Sequence, residues 1–321
     1  MKAATYITGE APKYGDFADP IAENDDQLLI TVKAAAVKNL DKGRVSGQHY
    51  SSGGDKQSKV AGIDGVGQLV DGTRVYGMGI TGMIAEKALI DKNKMVKVPN
   101  GVDDVTAAAL PNAVMGAGAA LRYRANIKAG DVVLINGATG VTGMMAVQLA
   151  KHFGTKKVIV TGRNEASLAK LLTLGADEAI SLKQDDEIIV KRLKEINSET
   201  PFDIVIDYLW GHPAELVLSV FQGDGGITHK VKYVTVGGMA GDKIQLSSGI
   251  LRSVDLEISG SGLGSLPHEA FQKLFTELIP EVFTLAAEGK IKIDTVTANL
   301  KDVETAWNRE IEGGKRLVIV I

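Results

Sequence analysis

Over about the first hundred residues, hydrophobic and polar positions alternate in short stretches, and the three-to-four-residue spacing of an amphipathic helix is weak. Gln27–Val37 is rich in aliphatic residues and predicts a strand. Turn-forming residues surround it at Gly53-Gly54, at Asp71-Gly72 and at glycines 77, 79 and 82. The pattern predicts an irregular, β-rich N-terminal domain with the form of a small barrel.

The pattern changes at Asp103. Asp103–Leu121 is rich in alanine and predicts a helix with a break at Pro111. Beyond it, buried strands are predicted at Asp131–Asn136, Lys157–Thr161, Ala179–Leu182, Asp203–Asp207 and Lys232–Val236. Helices are predicted between them, up to Phe153, over Glu165–Leu174 and Asp186–Ile196, and after Pro213. This alternation predicts an α/β fold, a doubly wound parallel sheet with right-handed crossovers.

The last part of the chain adds two elements. Pro267–Glu288 is amphipathic and predicts a helix that kinks at Pro280 and ends at Gly289. Arg316–Ile321 is apolar after its first residue and predicts a buried strand, far in the sequence from any other strand of its type.

A glycine-rich turn joins the predicted strand Val132–Ile135 to a helix. The turn contains Ala138-x-Gly140-x-x-Gly143, a variant of the dinucleotide-binding fingerprint. Gly140 would let the backbone approach a diphosphate, and Gly143 would let the helix pack closely on the strand. The helix N-terminus would present free N–H groups and a partial positive charge to that diphosphate. This placement between a strand and a helix predicts a dinucleotide site.

The end of the next strand bears on which dinucleotide binds. No acidic residue stands at its tip, Thr161–Asn164, where one would bind the 2′-hydroxyl of adenosine. Arg163 stands there instead and suits a 2′-phosphate through charge-assisted hydrogen bonds. Glu165 is placed in the first turn of the following helix, where the helix dipole favours an acid. The sequence predicts NADPH rather than NADH, with a solvated surface charge as the alternative for Arg163.

The amino-acid composition excludes several kinds of catalytic and metal site. The 321 residues include no cysteine, which excludes disulfides, thiolate nucleophiles and cysteine zinc sites. The five histidines stand singly, without the spacing of a metal site. The net charge of −3 mixes both signs, and no apolar run is long enough to span a bilayer, so no nucleic-acid or membrane partner is expected. We expect a cytoplasmic, metal-free enzyme with two domains.

Five segments together carry a family resemblance: Gly62–Gly67, Gly101–Pro111, Gly137–Gly154, Leu174–Asp177 and Gly314-Lys315. Through them, nearly the whole chain resembles the medium-chain dehydrogenase/reductase superfamily, in its zinc-independent quinone oxidoreductase branch. The resemblance implies a GroES-like barrel domain formed by residues 1–117 and 290–321, with a Rossmann domain, residues 118–289, inserted between them. It also implies that residues 254–261 form an edge strand through which a homodimer pairs.

The resemblance includes departures from the family pattern. Zinc-dependent members carry a histidine ligand in the segment at Gly62, where this chain has Ile63 and Asp64, so the metal chemistry is expected to be lost. Leu182 stands where quinone reductases often place a tyrosine. Met115 stands where they commonly have a threonine near the nicotinamide. These differences concern the substrate more than the cofactor.

The polar segment of residues 38–50 borders the substrate cleft by the same resemblance. Tyr50 is the first candidate for a proton donor or for stacking on a quinone ring, with an ordinary loop tyrosine as the alternative. Asn39 and Asp41 are candidates to orient the substrate or the nicotinamide. The family's early asparagine aligns with Lys38 or with Asn39, and both alignments stay open. Lys38, Lys42 and Arg44 are interpreted as solvated charges.

Candidate cofactor-binding residues lie in the phosphate loop and at later strand ends, where ligands of such sheets bind. They are Ala138, Thr139, Gly140, Val141, Thr142, Gly143, Gly162, Arg163, Asn164, Tyr208, Leu209, Gly237, Gly238 and Met239. The resemblance adds Met115 and Ser261, which align near the nicotinamide and at the carboxamide site.

The expected reaction is hydride transfer from NADPH to a quinone or an α,β-unsaturated carbonyl, because without zinc the oxygen must be polarised by hydrogen-bond donors. Two other interpretations compete with this one. The short-chain reductase family has a similar loop, but its Tyr-x-x-x-Lys motif is absent here and the loop begins too late, at Gly137. The other rival is an NADPH-binding sensor or structural protein with little or no turnover, which the sequence leaves open.

Overall fold

The computed structural model describes residues 1–48, 57–223 and 226–321. The chain divides into two compact units. The first unit comprises Met1–Asn112 and Gln272–Ile321, and the second comprises Ala113–Phe271. The divisions therefore lie after Asn112 and Phe271, whereas the sequence placed them after residues 117 and 289.

The strands, in chain order, are β1 (Lys2–Tyr6), β2 (Lys13–Asp16), β3 (Gln27–Val37), β4 (Lys59–Val60), β5 (Asp64–Gln68), β6 (Arg74–Gly79), β7 (Lys87–Lys97), β8 (Val132–Asn136), β9 (Lys157–Gly162), β10 (Glu178–Ser181), β11 (Ile204–Asp207), β12 (Val231–Thr235), β13 (Leu256–Gly260), β14 (Asp294–Asn299) and β15 (Lys315–Val320). The α-helices are α1 (Asn39–Ser46), α2 (Asp104–Gly118), α3 (Val141–His152), α4 (Glu165–Thr173), α5 (Asp186–Glu199), α6 (Gly211–Ser219), α7 (Ser248–Ser253), α8 (His268–Lys273), α9 (Ile279–Ala287) and α10 (Val303–Asn308). Single π-helical turns lie at Ala119–Arg124 and Leu274–Leu278, and 3₁₀ turns at Leu263–Ser265 and Leu300–Asp302.

The second unit is built on a six-stranded parallel sheet in the order β10-β9-β8-β11-β12-β13. The chain winds outward from β8 in one direction and then returns to continue from β11 in the other. This is the doubly wound Rossmann order, and the reversal between β8 and β11 leaves a crevice at the carboxyl ends of the strands. Every residue of β8 and of β11 is buried, as expected of strands covered on both faces. The predicted parallel α/β sheet is confirmed.

The first unit contains a sheet in the order β14-β15-β3-β5-β6-β7, and β7 pairs back onto β3, which closes a barrel. Its interior is filled by aliphatic and aromatic side chains such as Ile30, Val75, Ile90, Trp307 and Ile319. A separate three-stranded sheet, β2-β1-β4, completes the unit. The predicted β-rich barrel and the predicted buried C-terminal strand are both confirmed.

Two prolines lie within helical segments. The predicted break at Pro111 is wrong, because α2 runs through it to Gly118. The proline removes one N–H donor, yet the packed helix continues beyond it. Pro280 lies inside a helical segment that continues from α8 through the π-helical turn Leu274–Leu278 into α9, and this irregular turn lies beside the predicted kink. No helix of the described residues is long and apolar enough to cross a membrane.

Candidate functional site

The turn after β8 leaves the start of α3 open. Gly140 is the residue that caps α3, in extended conformation with φ −85° and ψ 168°, and no side chain of the described residues accepts a hydrogen bond from the first turn. A Cβ built on Gly140 would meet no atom within 4 Å. The amide groups of Val141, Thr142 and Gly143 precede the first intrahelical bond, which Met144 donates to Gly140. Uncapped amides beside open space are what a diphosphate group requires.

Close packing fixes this turn from several sides. A Cβ at Gly143 would lie 2.5 Å from the backbone of Ala138, so only glycine lets α3 approach the loop. Gly137 has φ +80°, and a Cβ there would lie 2.5 Å from the side chain of Leu209. Behind the loop, a Cβ at Gly116 of α2 would lie 2.9 Å from the Thr142 methyl group, and the neighbouring Met115 is buried.

A buried polar network joins the carboxyl ends of β8, β9 and β11 to Tyr233 in the middle of β12. Asn136 donates from its amide nitrogen to Asp207 Oδ1 over 2.9 Å and accepts from the Thr161 hydroxyl over 2.6 Å. Tyr233 donates from its hydroxyl to Asp207 Oδ2 over 2.9 Å. The Thr161 hydroxyl also accepts from the backbone N–H of Gly137 over 3.0 Å, which ties the phosphate loop to the network. Burial raises the pKa of Asp207, while the hydrogen bonds that it accepts lower it in part.

The sequence-based predictions did not include this network, although the sequence contains a pattern that indicates it. Asn136, Thr161 and Asp207 are polar residues at the ends of otherwise apolar strands, and all three are fully buried. A buried polar side chain needs a partner, so residues of this kind at neighbouring strand ends predict mutual hydrogen bonds.

At the end of β9, the candidate residues have different local roles. Gly162 lies directly against the Thr139 methyl group, so a larger residue there would displace the phosphate loop. Arg163 is exposed, and no hydrogen bond or ion pair to the described residues holds its guanidinium. Asn164 caps α4 by accepting from the N–H of Ser167 over 2.8 Å. Glu165 begins α4 as predicted.

The Glu165 carboxylate has a hydrogen-bond partner within the protein. It accepts from the hydroxyl of Ser181, at the end of β10, over 2.6 Å. The acid nearest to Arg163 in the sequence is therefore held toward the neighbouring strand.

The turn after β11 is strained. Trp210 has φ +52°, a value that favours glycine, and its N–H donates to Asp207 Oδ2 over 3.1 Å. Its ring packs edge-on against Tyr233 with centroids 6.3 Å apart. Backbone strain of this kind persists only where the surroundings impose it and often marks a functional turn. Tyr208 is buried, and its hydroxyl has no hydrogen-bond partner among the described residues.

The turns after β12 and β13 complete the same edge of the sheet. A Cβ at Gly237 would lie 2.8 Å from the carbonyl oxygen of Tyr208, and one at Gly238 would lie 2.9 Å from the carbonyl oxygen of Gly241. Met239 is 73% exposed. Ser261 is buried and donates its N–H to the carbonyl oxygen of Thr235 over 2.8 Å. The fold thus places every candidate cofactor residue except Met115 at the carboxyl ends of adjacent parallel strands.

The catalytic candidates lie in the first unit. Tyr50 lies outside the described residues. Asn39 is exposed at the start of α1. Asp41 is buried, accepts from the backbone N–H of Lys38 over 2.8 Å and accepts from the N–H of Ile63 over 2.9 Å. Its carboxylate therefore anchors the first turn of α1 to the start of β5.

The interpretation of Lys38 as a solvated charge is wrong, since only 2% of the residue is exposed. Its ammonium contacts Asp64, lies 3.1 Å from Asp41 Oδ2 and donates to the carbonyl oxygen of Ala36 over 2.9 Å. Burial lowers the pKa of Lys38, but Asp41 and Asp64 raise it by more, so the lysine stays charged. The charge is hidden because two carboxylates from other elements surround it.

Two further residues complete this buried ion cluster, which we define as Lys38, Asp41, Asp64, Tyr76 and Arg316. The Tyr76 hydroxyl donates to Asp64 Oδ2 over 2.7 Å. Arg316 is 8% exposed, and its Nε has no partner among the described residues. Burial lowers the pKa of Arg316, while Asp64 and Asp41 raise it in part.

A cavity of about 360 Å³ lies beside the cluster in the first unit. Asp41 and Ile63 form part of its wall, with Tyr6, Phe17, Arg44 and Thr81. Its volume falls within the range of small-molecule sites. Within residues 1–48, 57–223 and 226–321, no group of three or more His, Asp or Glu side chains is arranged to hold a metal ion.

Comparisons with known proteins agree with this architecture. Residues 141–280 match the family model described as zinc-binding dehydrogenase. A quinone oxidoreductase of Sus scrofa is 30% identical over 276 residues, which cover 82% of this chain and 79% of that protein. The chain belongs to the medium-chain dehydrogenase/reductase superfamily, in its quinone oxidoreductase branch.

Further relatives match this family member over its whole length. A probable NADPH-dependent quinone reductase of Emericella nidulans is 27% identical and covers 100% of both chains. The solved structure of a mycobacterial quinone oxidoreductase, 21% identical, superposes with a TM-score of 0.84 and also covers 100% of both chains. The two-unit fold is thus shared with this branch.

Proposed function

We propose that this chain is an NADPH-dependent reductase that transfers hydride to a quinone or an α,β-unsaturated carbonyl compound. The observation that carries the proposal is the uncapped start of α3 beside open space at Gly140, at the reversal of the strand order. The relatives named as quinone oxidoreductases and as an NADPH-dependent quinone reductase support it.

The second unit is proposed to bind the cofactor, which is the role that the sequence predicts for a Rossmann domain of residues 118–289. Its fit is supported by the free amides of Val141–Gly143 for the diphosphate and by the unpaired guanidinium of Arg163 for the 2′-phosphate. Glu165 is turned to Ser181, which leaves Arg163 as the charged group at the tip of β9. When bound, NADPH supplies the hydride; the protein supplies orientation and electrostatics.

The first unit is proposed to hold the substrate and to work without zinc. The chain has no cysteine, and it has Ile63 and Asp64 in the segment where relatives of the zinc type carry a histidine ligand. The carbonyl oxygen must then be polarised by hydrogen-bond donors. Tyr50 remains the proposed proton donor, and Asn39, exposed at the start of α1, the group that orients the substrate. Asp41 is proposed to act as an anchor, because both its oxygens already accept hydrogen bonds.

We also propose a cytoplasmic homodimer. β13 forms one edge of the six-stranded sheet, so its outer side is available for pairing with a second copy through residues 254–261. Light scattering of the purified protein should give twice the mass of 33.9 kDa.

The deciding experiment follows NADPH oxidation against a panel of quinones and α,β-unsaturated carbonyls. The proposal expects turnover with at least one compound and weaker activity with NADH. Tight NADPH binding without turnover over the whole panel would instead favour a sensor.

A further inference from the structure

The buried ion cluster joins four elements of the first unit through one lysine. Lys38 stands just before α1, at the end of β3, and its ammonium contacts Asp64 of β5 and Asp41 of α1. Asp64 in turn accepts from Tyr76 of β6. Asp64 lies 26 residues from Lys38 in the sequence, so the contact fixes tertiary structure and not only a local turn.

Such a cluster is costly unless it is well paired. Each ion loses several kcal/mol of hydration when buried, and removing a single partner leaves an uncompensated charge. Here two cations, Lys38 and Arg316, balance two carboxylates, Asp41 and Asp64. Hydrophobic residues of similar volume often give equal or greater stability at such places, so stability alone does not account for the charges.

The cluster also has a geometric consequence for the cavity of about 360 Å³. One wall of the cavity is the inner face of α1, with Asp41, Arg44 and Val45, and another is the segment from Lys59 to Ile63. Asp41 joins the walls by accepting from the N–H of Ile63. Lys38 holds Asp41 in that position with both its backbone N–H and its ammonium.

We propose that Lys38 is a positioning residue for the substrate: by fixing Asp41 against Ile63, it sets the spacing of the two cavity walls between which the quinone or enone binds. The inference rests on the proposed function for the identity of the ligand. Lys38 itself does not line the cavity, so it acts through Asp41 and not by touching the substrate.

The test separates charge balance from positioning with two variants. Lys38→Met removes the ammonium and leaves the cluster with a net negative charge, so it should lower the thermal midpoint. The double variant Lys38→Met/Asp64→Asn restores neutrality but not the contact with Asp41. We expect the double variant to recover most of the midpoint, while its KM for a 1,4-naphthoquinone stays raised about tenfold, because Asp41 no longer holds the cavity walls at the spacing that the substrate fits.

Two controls accompany these variants. The Kd for NADPH should change by less than about twofold, because the phosphate loop lies in the other unit. Lys94→Met breaks a half-buried ion pair with Asp91 in the same unit and should leave both KM and kcat unchanged. A wild-type KM in the stable double variant would overturn the positioning role.

The positioning role of Lys38 can still be tested by ligand binding if the protein does not catalyse the proposed reaction. If the wild type oxidises no NADPH with any acceptor, the proposed function falls, and the Kd of the naphthoquinone replaces KM as the readout. A Kd that is raised about tenfold in the double variant supports the positioning role, whereas an unchanged Kd, or no binding to the wild type, contradicts it.

Discussion

The side-chain amide of Asn136 donates to Asp207 Oδ1 over 2.9 Å and so joins β8 to β11 where the strand order reverses. The same carboxylate accepts from the N–H of Leu209 and of Trp210, which hold the strained turn that follows β11. The buried carboxylate of Asp207 therefore connects the ends of β8 and β11, at the proposed cofactor crevice, to the turn that follows β11.

Asp207→Asn tests this tie. The amide keeps the shape but replaces one acceptor oxygen with a donor, which then faces the donors Tyr233 and Trp210. We expect the free energy of unfolding to fall by about 2 kcal/mol, measured by urea denaturation of the purified variant. Asp242→Asn, an exposed residue of the same unit, is the control and should be neutral. Equal stabilities for the two variants would show that the network contributes nothing.

Gly140 and Gly143 should respond in opposite ways to an added side chain. Gly140→Val has room for its Cβ and suits the extended backbone, so the fold should survive while the branched side chain blocks the diphosphate and largely abolishes NADPH binding. Gly143→Ala places its Cβ 2.5 Å from the Ala138 backbone and should cost about 1–3 kcal/mol of stability. Calorimetric NADPH titration and thermal unfolding distinguish the two effects. If Gly140→Val binds NADPH like the wild type, the cofactor does not lie on this loop.

Arg163→Ala tests the choice of cofactor. A hydrogen bond to a charged group contributes roughly 1.5–3 kcal/mol, and about 1.4 kcal/mol corresponds to a factor of ten. The variant should bind NADPH roughly ten- to a hundredfold more weakly, while NADH binding barely changes. Titrations of both cofactors at fixed salt measure this. Lys156→Ala removes the same charge at the opposite end of β9 and should affect neither cofactor. Equal losses for both cofactors would assign Arg163 to adenine stacking or loop support.

His212 gives a pH-dependent contact between α5 and α6. The hydrogen bond to Asp186, 2.8 Å long, raises the pKa of His212 above its ordinary value. The folded chain then binds this proton more tightly than the unfolded chain. The contact therefore stabilises the fold below the ordinary histidine pKa, and the stabilisation is lost as the pH rises through the folded-state value. NMR titration should show the raised pKa in the wild type and a lower pKa in Asp186→Asn, where Glu215, 3.5 Å from His212 Nδ1, still raises it in part.

Metal removal should leave the enzyme unaffected. Because the chain lacks cysteine and Lys38 occupies the space between Asp41 and Asp64, no zinc is expected to support turnover. Exhaustive treatment with a chelator should leave kcat/KM unchanged, and elemental analysis should find no stoichiometric zinc. A bound zinc whose removal stops turnover would contradict the proposed mechanism.

The range of the interactions decided which features were predictable from the sequence. The phosphate loop was readable because a strand, a glycine turn and a helix follow one another within a short segment around Gly140. The burial of Lys38 could not be predicted, because its partner Asp64 reaches it only through the folding of β5. The predicted break at Pro111 was wrong for a related reason, because the packing of α2 outweighs the local tendency of proline to interrupt a helix.

The pairing of β15 with β3 has a consequence for biosynthesis. Leu317 lies opposite Val37, so β3 is synthesised long before its partner exists. Residues 113–271 leave the ribosome as an uninterrupted stretch and can complete their sheet while synthesis continues. The sheet of the first unit, by contrast, gains β14 and β15 only at the end of synthesis, and until then the part of β3 at Ala34–Val37 exposes an edge that is open to wrong pairing. Nascent chains stalled before residue 315 should therefore contain a protease-resistant second unit and a protease-sensitive first unit.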